Sequence, residues 1–252
     1  MKKILLIGIG AGHPEQITVQ AVNALNRTDV FFLLDKGYAN DDLLRLRTDI
    51  CERYITHDDY RIVQVLDPKR LGNPQSYEAG IEAWHEQRAV LFEQLIADEV
   101  GEGEVGGFLV WGDPSLYDST LRILDRVLAR GAQLFDYQVI PGITSVQALV
   151  AQHRIPLNRI GEPIQITTGR RLAECREDQI TNVVVMLDAN CGFEAFAETD
   201  LHIYWGAYLG TPDEILIAGK LKDVSAEIQR VRETVRREKG WIMDTYLLRK
   251  PD

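Results

Sequence analysis

Cysteine is scarce in this chain: Cys51, Cys175 and Cys191 are the only three in 252 residues. They are too few and too scattered for a disulfide framework or a metal knuckle. The five histidines are equally dispersed, with no pair at metal-ligand spacing. Reduced thiols in a cytoplasmic protein without a metal are therefore expected. Positive charge is also in deficit, with 28 basic against 38 acidic side chains and a formal net charge of −10. Nucleic acid is excluded as the expected partner, because phosphate binding wants a basic face. An anionic small molecule is not excluded, since it needs only a local basic pocket. No stretch has the roughly 18 uninterrupted apolar residues needed to cross a bilayer, so no membrane association is expected. The opening residues imitate a signal peptide, with two lysines before an apolar run. That run breaks at Gly8 and Gly10 and meets His13 and Pro14 without a small-residue cleavage site. It reads as a first strand.

What is present is an ordinary globular balance, 45% hydrophobic and 26% charged, with length for one large domain or two modest ones. The first half alternates apolar runs with helical patterns, as a parallel α/β sheet requires. Strands are expected over 4–9, 30–34, 108–111 and 137–140. Helices are expected over 17–25, 43–50, 77–100, 146–150 and from Asp118 or Ser119 to Gly131, with a polar stretch over 36–73 and a turn over 101–107. The second half is richer in strand-like runs, at 164–168, 183–187, 201–208 and 241–248. Thr211-Pro212-Asp213-Glu214 has the N-cap, first-turn proline and N3 acid of a helix start, and 225–237 reads as another helix. The domain boundary is expected near 141–144, dividing an N-terminal domain (1–141) from a C-terminal one (142–252).

Three loops stand out, each at the carboxyl end of an expected strand, where ligands bind in open α/β sheets. The first is Gly8-Ile9-Gly10-Ala11-Gly12, where glycines let backbone approach a ligand. It departs from the dinucleotide fingerprint, since His13 stands where a third glycine is due and Pro14 follows. The second is Trp111-Gly112-Asp113-Pro114-Ser115-Leu116-Tyr117, and the third Ile140-Pro141-Gly142-Ile143-Thr144-Ser145. Each alone has a plain reading as a turn or a capped hinge.

Together the strings LIGIGAGHP, VWGDPSLYDSTLRIL, VIPGITSVQAL and VVVMLDAN resemble the tetrapyrrole (corrin/porphyrin) methylases from end to end. More narrowly, KGYANDDLLRLRTDICERY, TTGRRL, YWGAYLGTPDEI and GWIMDTYLLRKP resemble the branch that methylates precorrin-5 at ring carbon 1 and releases its acetyl group as acetate. Most of the family has a proline between the second and third glycines of the first loop. This chain has Ala11, so no cofactor contact is carried to that position.

The resemblance implies two α/β domains, the first with a mainly parallel sheet and the second with a mixed one. It also implies S-adenosylmethionine in the cleft between them, and a homodimer. Carried over by motif, the cofactor lies against Gly112, Asp113 and Leu116, with Thr144 and Ser145 from the hinge and Met186 and Leu187 from the VVMLDA strand end. Tyr204 to Ala207 and Ile242 are looser carry-overs. The tetrapyrrole's carboxylates call for arginines, which bind them bidentately. Arg170-Arg171 is the first candidate pair, Arg47 with Lys36, Arg45 and Arg53 a second cluster, and Arg154 with Arg159 a third. Loss of the acetyl group consumes water and calls for a general base. His13, Asp35, Asp113, Tyr117 and Glu162 are all candidates. The rival readings are another methylase on this fold, a nicotinamide-dependent oxidoreductase using the first loop and Asp35, and a catalytically silent binding protein.

Overall fold

The computed structural model describes residues 1–35, 41–70 and 76–251, so Lys36 lies outside the described residues. The chain divides into two units. One comprises Met1–Gly10 and Pro14–Thr144, the other Ala11–His13 and Ser145–Asp252.

The first unit is a parallel sheet of β1 (Lys2–Gly8), β2 (Val30–Asp35), β3 (Arg61–Leu66), β4 (Val105–Val110) and β5 (Phe135–Ile140), in the order β3-β2-β4-β1-β5. Helices α1 (Val19–Leu25), α2 (Asp41–Tyr54), α3 (Tyr77–Glu99) and α4 (Thr120–Arg130) connect the strands. Ile4 and Leu6 join the core shared by α3 and α4, whereas Leu5 and Ile7 join the core shared by α1 and α2. Alternate residues of one strand thus fill two cores, which is why β1 reads as a continuous apolar run.

The second unit is a mixed sheet of β6 (Gln165–Thr168), β7 (Asn182–Met186), β8 (His202–Ala207), β9 (Ile215–Lys220) and β10 (Asp244–Arg249), ordered β6-β7-β10-β8-β9. Only β6 and β7 run parallel; the other pairs are antiparallel. Helix α5 (Ser145–His153) packs on β8, β9 and β10. The short α6 (Gly169–Leu172) packs on β6 and β7, and α7 (Leu221–Lys239) on β8 and β9. Among the described residues, no helix is long and apolar enough to cross a membrane.

The structure departs from the sequence reading in four places. The expected helix start at Thr211 is a turn leading into β9. Its cap-like side chains close the turn instead, with the Gly210 amide donating to Glu214 Oε2 at 2.7 Å and Thr211 Oγ1 to the Tyr208 carbonyl at 2.8 Å. The Ile-Leu-Ile run that follows then pairs with β8. Strand β3 was hidden in the stretch read as polar, because Val63 and Val65 alone face the core while Ile62, Gln64 and Leu66 face outward. Gly106 and Gly107, read as turn, lie inside β4. A Cβ on Gly106 would come 3.0 Å from Ile4 Cδ1 and from Val100 Cγ2, and one on Gly107 2.8 Å from Thr28 Cγ2. The last strand begins at Asp244 rather than Trp241.

Three other glycines close the carboxyl edge of the first sheet. A Cβ on Gly142 would lie 2.0 Å from the Gly112 carbonyl oxygen and 2.9 Å from Gly8 Cα. A Cβ on Gly8 would lie 2.6 Å from the Gly142 nitrogen. At Gly112 a Cβ would make only ordinary contacts, the nearest 3.7 Å away at Thr144 Cα, but φ is +66°, a conformation that costs a residue with a Cβ roughly 1–2 kcal/mol. Gly142→Ala is therefore expected to cost more than Gly112→Ala, about 3 kcal/mol against about 1–2 kcal/mol. Urea unfolding of the two variants checks the order.

Candidate functional site

Strand β1 lies between β4 and β5. The chain leaves β1 towards β2 on one side and leaves β4 towards β5 on the other, so the sheet has its topological switch point here. The three glycine-bearing loops follow these three neighbouring strands. The first two are tied by a backbone bridge, with the Gly112 amide donating to the Gly10 carbonyl at 2.8 Å and the Gly10 amide to the Gly112 carbonyl at 3.4 Å.

Asp113 ties the second loop to the third. Its Oδ2 accepts from the Gly142 amide at 2.8 Å, and its Oδ1 from the Ser115 amide at 2.7 Å and from Ser115 Oγ. Burial pushes the Asp113 carboxyl up, but the hydroxyl of Ser115 and the amides of Gly142 and Ser115 together outweigh it and hold the group below its ordinary range. Both oxygens of this carboxylate are engaged and its basicity is reduced, and it braces the second loop against the third. Leu116 is half-buried in the same loop, and Tyr117 is exposed with φ 51°. Partial burial raises the Tyr117 phenol further above its ordinary range, which keeps it protonated at neutral pH. Asp35 ends β2 and accepts from Gln64 Nε2 at 3.2 Å.

Arg47, on α2, donates from Nε to the Leu109 carbonyl at 3.2 Å. Burial lowers its pKa, opposed by the nearby Asp118 and Asp67 carboxylates, with Arg88 adding to the lowering. Arg88 in turn pairs with Asp67 at 2.9 Å, with its guanidinium 4.8 Å from the Trp84 ring centroid. These two arginines and two aspartates balance in charge, and Arg47 belongs to that scaffold. Arg53 sits apart from it, paired with Glu15 at 2.8 Å.

In the second unit, Met186 ends β7 opposite Thr245, and Thr245 in turn lies opposite Gly206 of β8. Ser145, the first residue of α5, places its Oγ 3.1 Å from Thr245 Oγ1. The structure thus brings Ser145, Met186 and Gly206 to one sheet edge around Thr245. Sequence reasoning missed Thr245; the alternation of DTYLLR, with Tyr246 and Leu248 in the core, was the available signal. Leu187 follows with φ 53° and its side chain 66% exposed. Tyr208, also left-handed at φ 50°, is held by its amide on the Met243 carbonyl at 2.9 Å and its hydroxyl on the Trp241 carbonyl at 2.6 Å. Ile242 packs, half-buried, against the main core of this unit.

His13 is exposed at the end of the Ala11–His13 stretch, which belongs to the second unit. In that stretch, a Cβ on Gly12 would come 2.2 Å from the Leu209 carbonyl oxygen. Arg170 and Arg171 are exposed on α6 rather than in a loop, with Arg171 bridged to Glu174 at 2.8 Å. Arg159 donates to the Lys250 carbonyl at 2.6 Å, beyond the C-terminal end of β10. Since β10 runs antiparallel to β7, Arg159 belongs to the edge opposite Met186. Glu162 follows it before β6 begins, with its amide on the Arg159 carbonyl at 3.1 Å. Both are thereby separated from the other candidates of this unit. Among the described residues, no group of three or more His, Cys, Asp or Glu side chains could hold a metal ion.

Replacing Asp113 by asparagine turns an NH2 group towards one of two amide donors. Asp113→Asn is expected to lose about 1–3 kcal/mol of stability at neutral pH. A carboxyl whose folded pKa is depressed contributes stability above its unfolded pKa and loses it as pH falls through the folded value. The gap between wild type and variant should therefore shrink below the ordinary carboxylate range. Denaturation at pH 7 and at pH 3 measures it.

Residues 3–225 match the family model of the tetrapyrrole (corrin/porphyrin) methylases. The chain is 52% identical to a precorrin-6A synthase [deacetylating] from Sinorhizobium sp over 250 residues, covering 99% of this chain and 96% of that protein. It is similar in structure to a Corynebacterium diphtheriae protein described as cobalamin synthesis related (CobF), with a TM-score of 0.87, 40% identity and full coverage of both chains. A uroporphyrin-III C-methyltransferase from Thermus thermophilus, solved with S-adenosylhomocysteine, shares the fold at a TM-score of 0.58 and 17% identity, covering 98% of this chain and 97% of that one. By its family match, its long-range identity and its pair of sheets, this chain belongs to the tetrapyrrole methylase family.

Proposed function

We propose that this protein is an S-adenosylmethionine-dependent C-methyltransferase of cobalamin biosynthesis, methylating precorrin-5 at ring carbon 1 and releasing acetate to give precorrin-6A. The observation that carries the reading is the 52% identity, over nearly the full length of both chains, to a relative named for that deacetylating synthesis. The methyl donor is supported by the family and by the homologue solved with S-adenosylhomocysteine.

The chemistry asks little of the protein's own nucleophiles, because the ring system supplies the attacking carbon. The protein aligns that carbon with the sulfonium methyl, which by itself can contribute a large part of the rate. The cofactor contacts proposed are Gly112, Asp113, Leu116, Thr144, Ser145, Met186, Leu187 and Ile242, to which we add Thr245. Most of these offer backbone groups or neutral side chains, which suit a zwitterionic sulfonium better than one strong charge does. Acetyl loss needs water and a base. Asp113 is committed to its brace, Tyr117 stays protonated and Glu162 stands at the far sheet edge, so the base is sought at His13 or Asp35.

Arg170 and Arg171 take the substrate's carboxylates. Losing one charge-assisted contact costs about 1.5–3 kcal/mol, so Arg171→Ala should raise the Michaelis constant for the tetrapyrrole and leave cofactor affinity intact. Titration of S-adenosylmethionine beside substrate kinetics separates the two constants.

Methylation is proposed to precede deacylation, because quaternising ring carbon 1 promotes expulsion of the acyl group. With methyl-labelled donor, mass spectrometry should find labelled product and acetate in equal amounts. With S-adenosylhomocysteine instead, neither should appear. Stoichiometric acetate under those conditions would show that deacylation stands alone.

A further inference from the structure

The stretch 187–191, after β7, contains two non-glycine residues in the left-handed region, Leu187 at φ 53° and Cys191 at φ 55°. Each such conformation costs roughly 1–2 kcal/mol and persists only where the surroundings over-determine it. Leu187 has no packing reason for it, since its side chain is largely exposed. The residues that follow it are held from beneath the loop.

The Asp188 carboxylate accepts from the Asn190 amide at 3.1 Å, the Gly192 amide at 2.7 Å and the Tyr246 hydroxyl at 2.6 Å. Arg232, reaching from α7 and almost wholly buried, makes three connections at once. Its Nη2 donates to the Asp188 carbonyl, its Nη1 to Cys191 Sγ at 2.9 Å, and its Nε faces Asp244 Oδ2 at 3.3 Å. Asp244 is itself fixed by Trp205 Nε1 at 2.8 Å. Burial pushes the Asp244 carboxyl up to about 6 even with Arg232 beside it, so this charge pair is held at a cost in desolvation. A leucine or methionine at 232 would fill the same interior without that cost. Only a planar, multidentate donor joins both ends of the loop to β10.

We propose that Arg232 is a positioning residue for the methyl donor. It clamps the loop 187–191 so that Met186 and Leu187 are presented in the left-handed geometry that contacts the cofactor. The inference rests on the cofactor placement proposed above, and it assigns the clamp to a residue of α7 that touches neither substrate nor donor.

Two variants test it. Arg232→Lys keeps the charge beside Asp244 but cannot span the Asp188 carbonyl and Cys191 together. Arg232→Met combined with Asp244→Asn removes both charges, and decides the matter if the lysine variant fails to fold. The expected result in either is an S-adenosylmethionine dissociation constant raised about tenfold or more, with the Michaelis constant for the tetrapyrrole within about twofold of wild type. Amide exchange at Asn190 and Gly192 should quicken and slow again when S-adenosylhomocysteine is added. Wild-type affinity for the donor in folded variants overturns the proposal. So does a parallel fall in melting temperature, donor affinity and substrate affinity, which would mark a merely structural role. If the unaltered chain itself does not bind S-adenosylmethionine, the functional reading fails first and is recognised separately, because the exchange at Asn190 and Gly192 still reports the clamp.

Discussion

The carboxyl edge of the first sheet rests on one steric constraint, the mutual contact of backbone at Gly8, Gly112 and Gly142. With a Cβ from Gly142 only 2.0 Å from the Gly112 oxygen, three loops approach more closely than any side chain would permit. That closeness makes possible the bridge between Gly10 and Gly112 and the reach of Asp113 to the Gly142 amide. The loops become one continuous surface of peptide groups whose hydrogen bonds and dipoles are oriented by one another.

The second unit reaches a similar end by a different device. Its loop after β7 has few glycines to relieve the backbone, and it holds Leu187 and Cys191 in left-handed conformations through buried polar groups instead. Asp188, Arg232 and Asp244 are all under a tenth exposed and share partners through one guanidinium. A lone member of such a set would be costly to bury, whereas the connected set offsets desolvation with its own contacts. In both units, then, carboxylates that look available in sequence are occupied in holding loops.

The alternating reading of the sequence carried the first sheet well, because β1, β2 and the apolar half of β4 are buried on both faces and their runs are continuous. It missed β3 because only two of that strand's residues face a core. It mistook Gly106 and Gly107 for a turn because their smallness serves neighbouring side chains rather than a bend. At Thr211 a local cap pattern was outweighed by the antiparallel pairing of Ile215 to Lys220 with the preceding strand β8, because strand pairing overrides the cap residues' own preference.

By itself the sequence determined the three glycine loops and their order, the family, and the placing of the motif residues at strand ends, because these depend on short strings and on the side-chain period. Only the tertiary structure decided what each charged candidate touches. Asp113 braces two loops, Arg47 lies in a cluster with Asp67, Asp118 and Arg88, and Glu162 follows Arg159 ahead of β6. Thr245 and Arg232, unremarkable in their own segments, gained their meaning from partners 100 and 44 residues away in the chain. Hydrogen-bond partners are set by packing across elements, and packing leaves no local trace in a sequence.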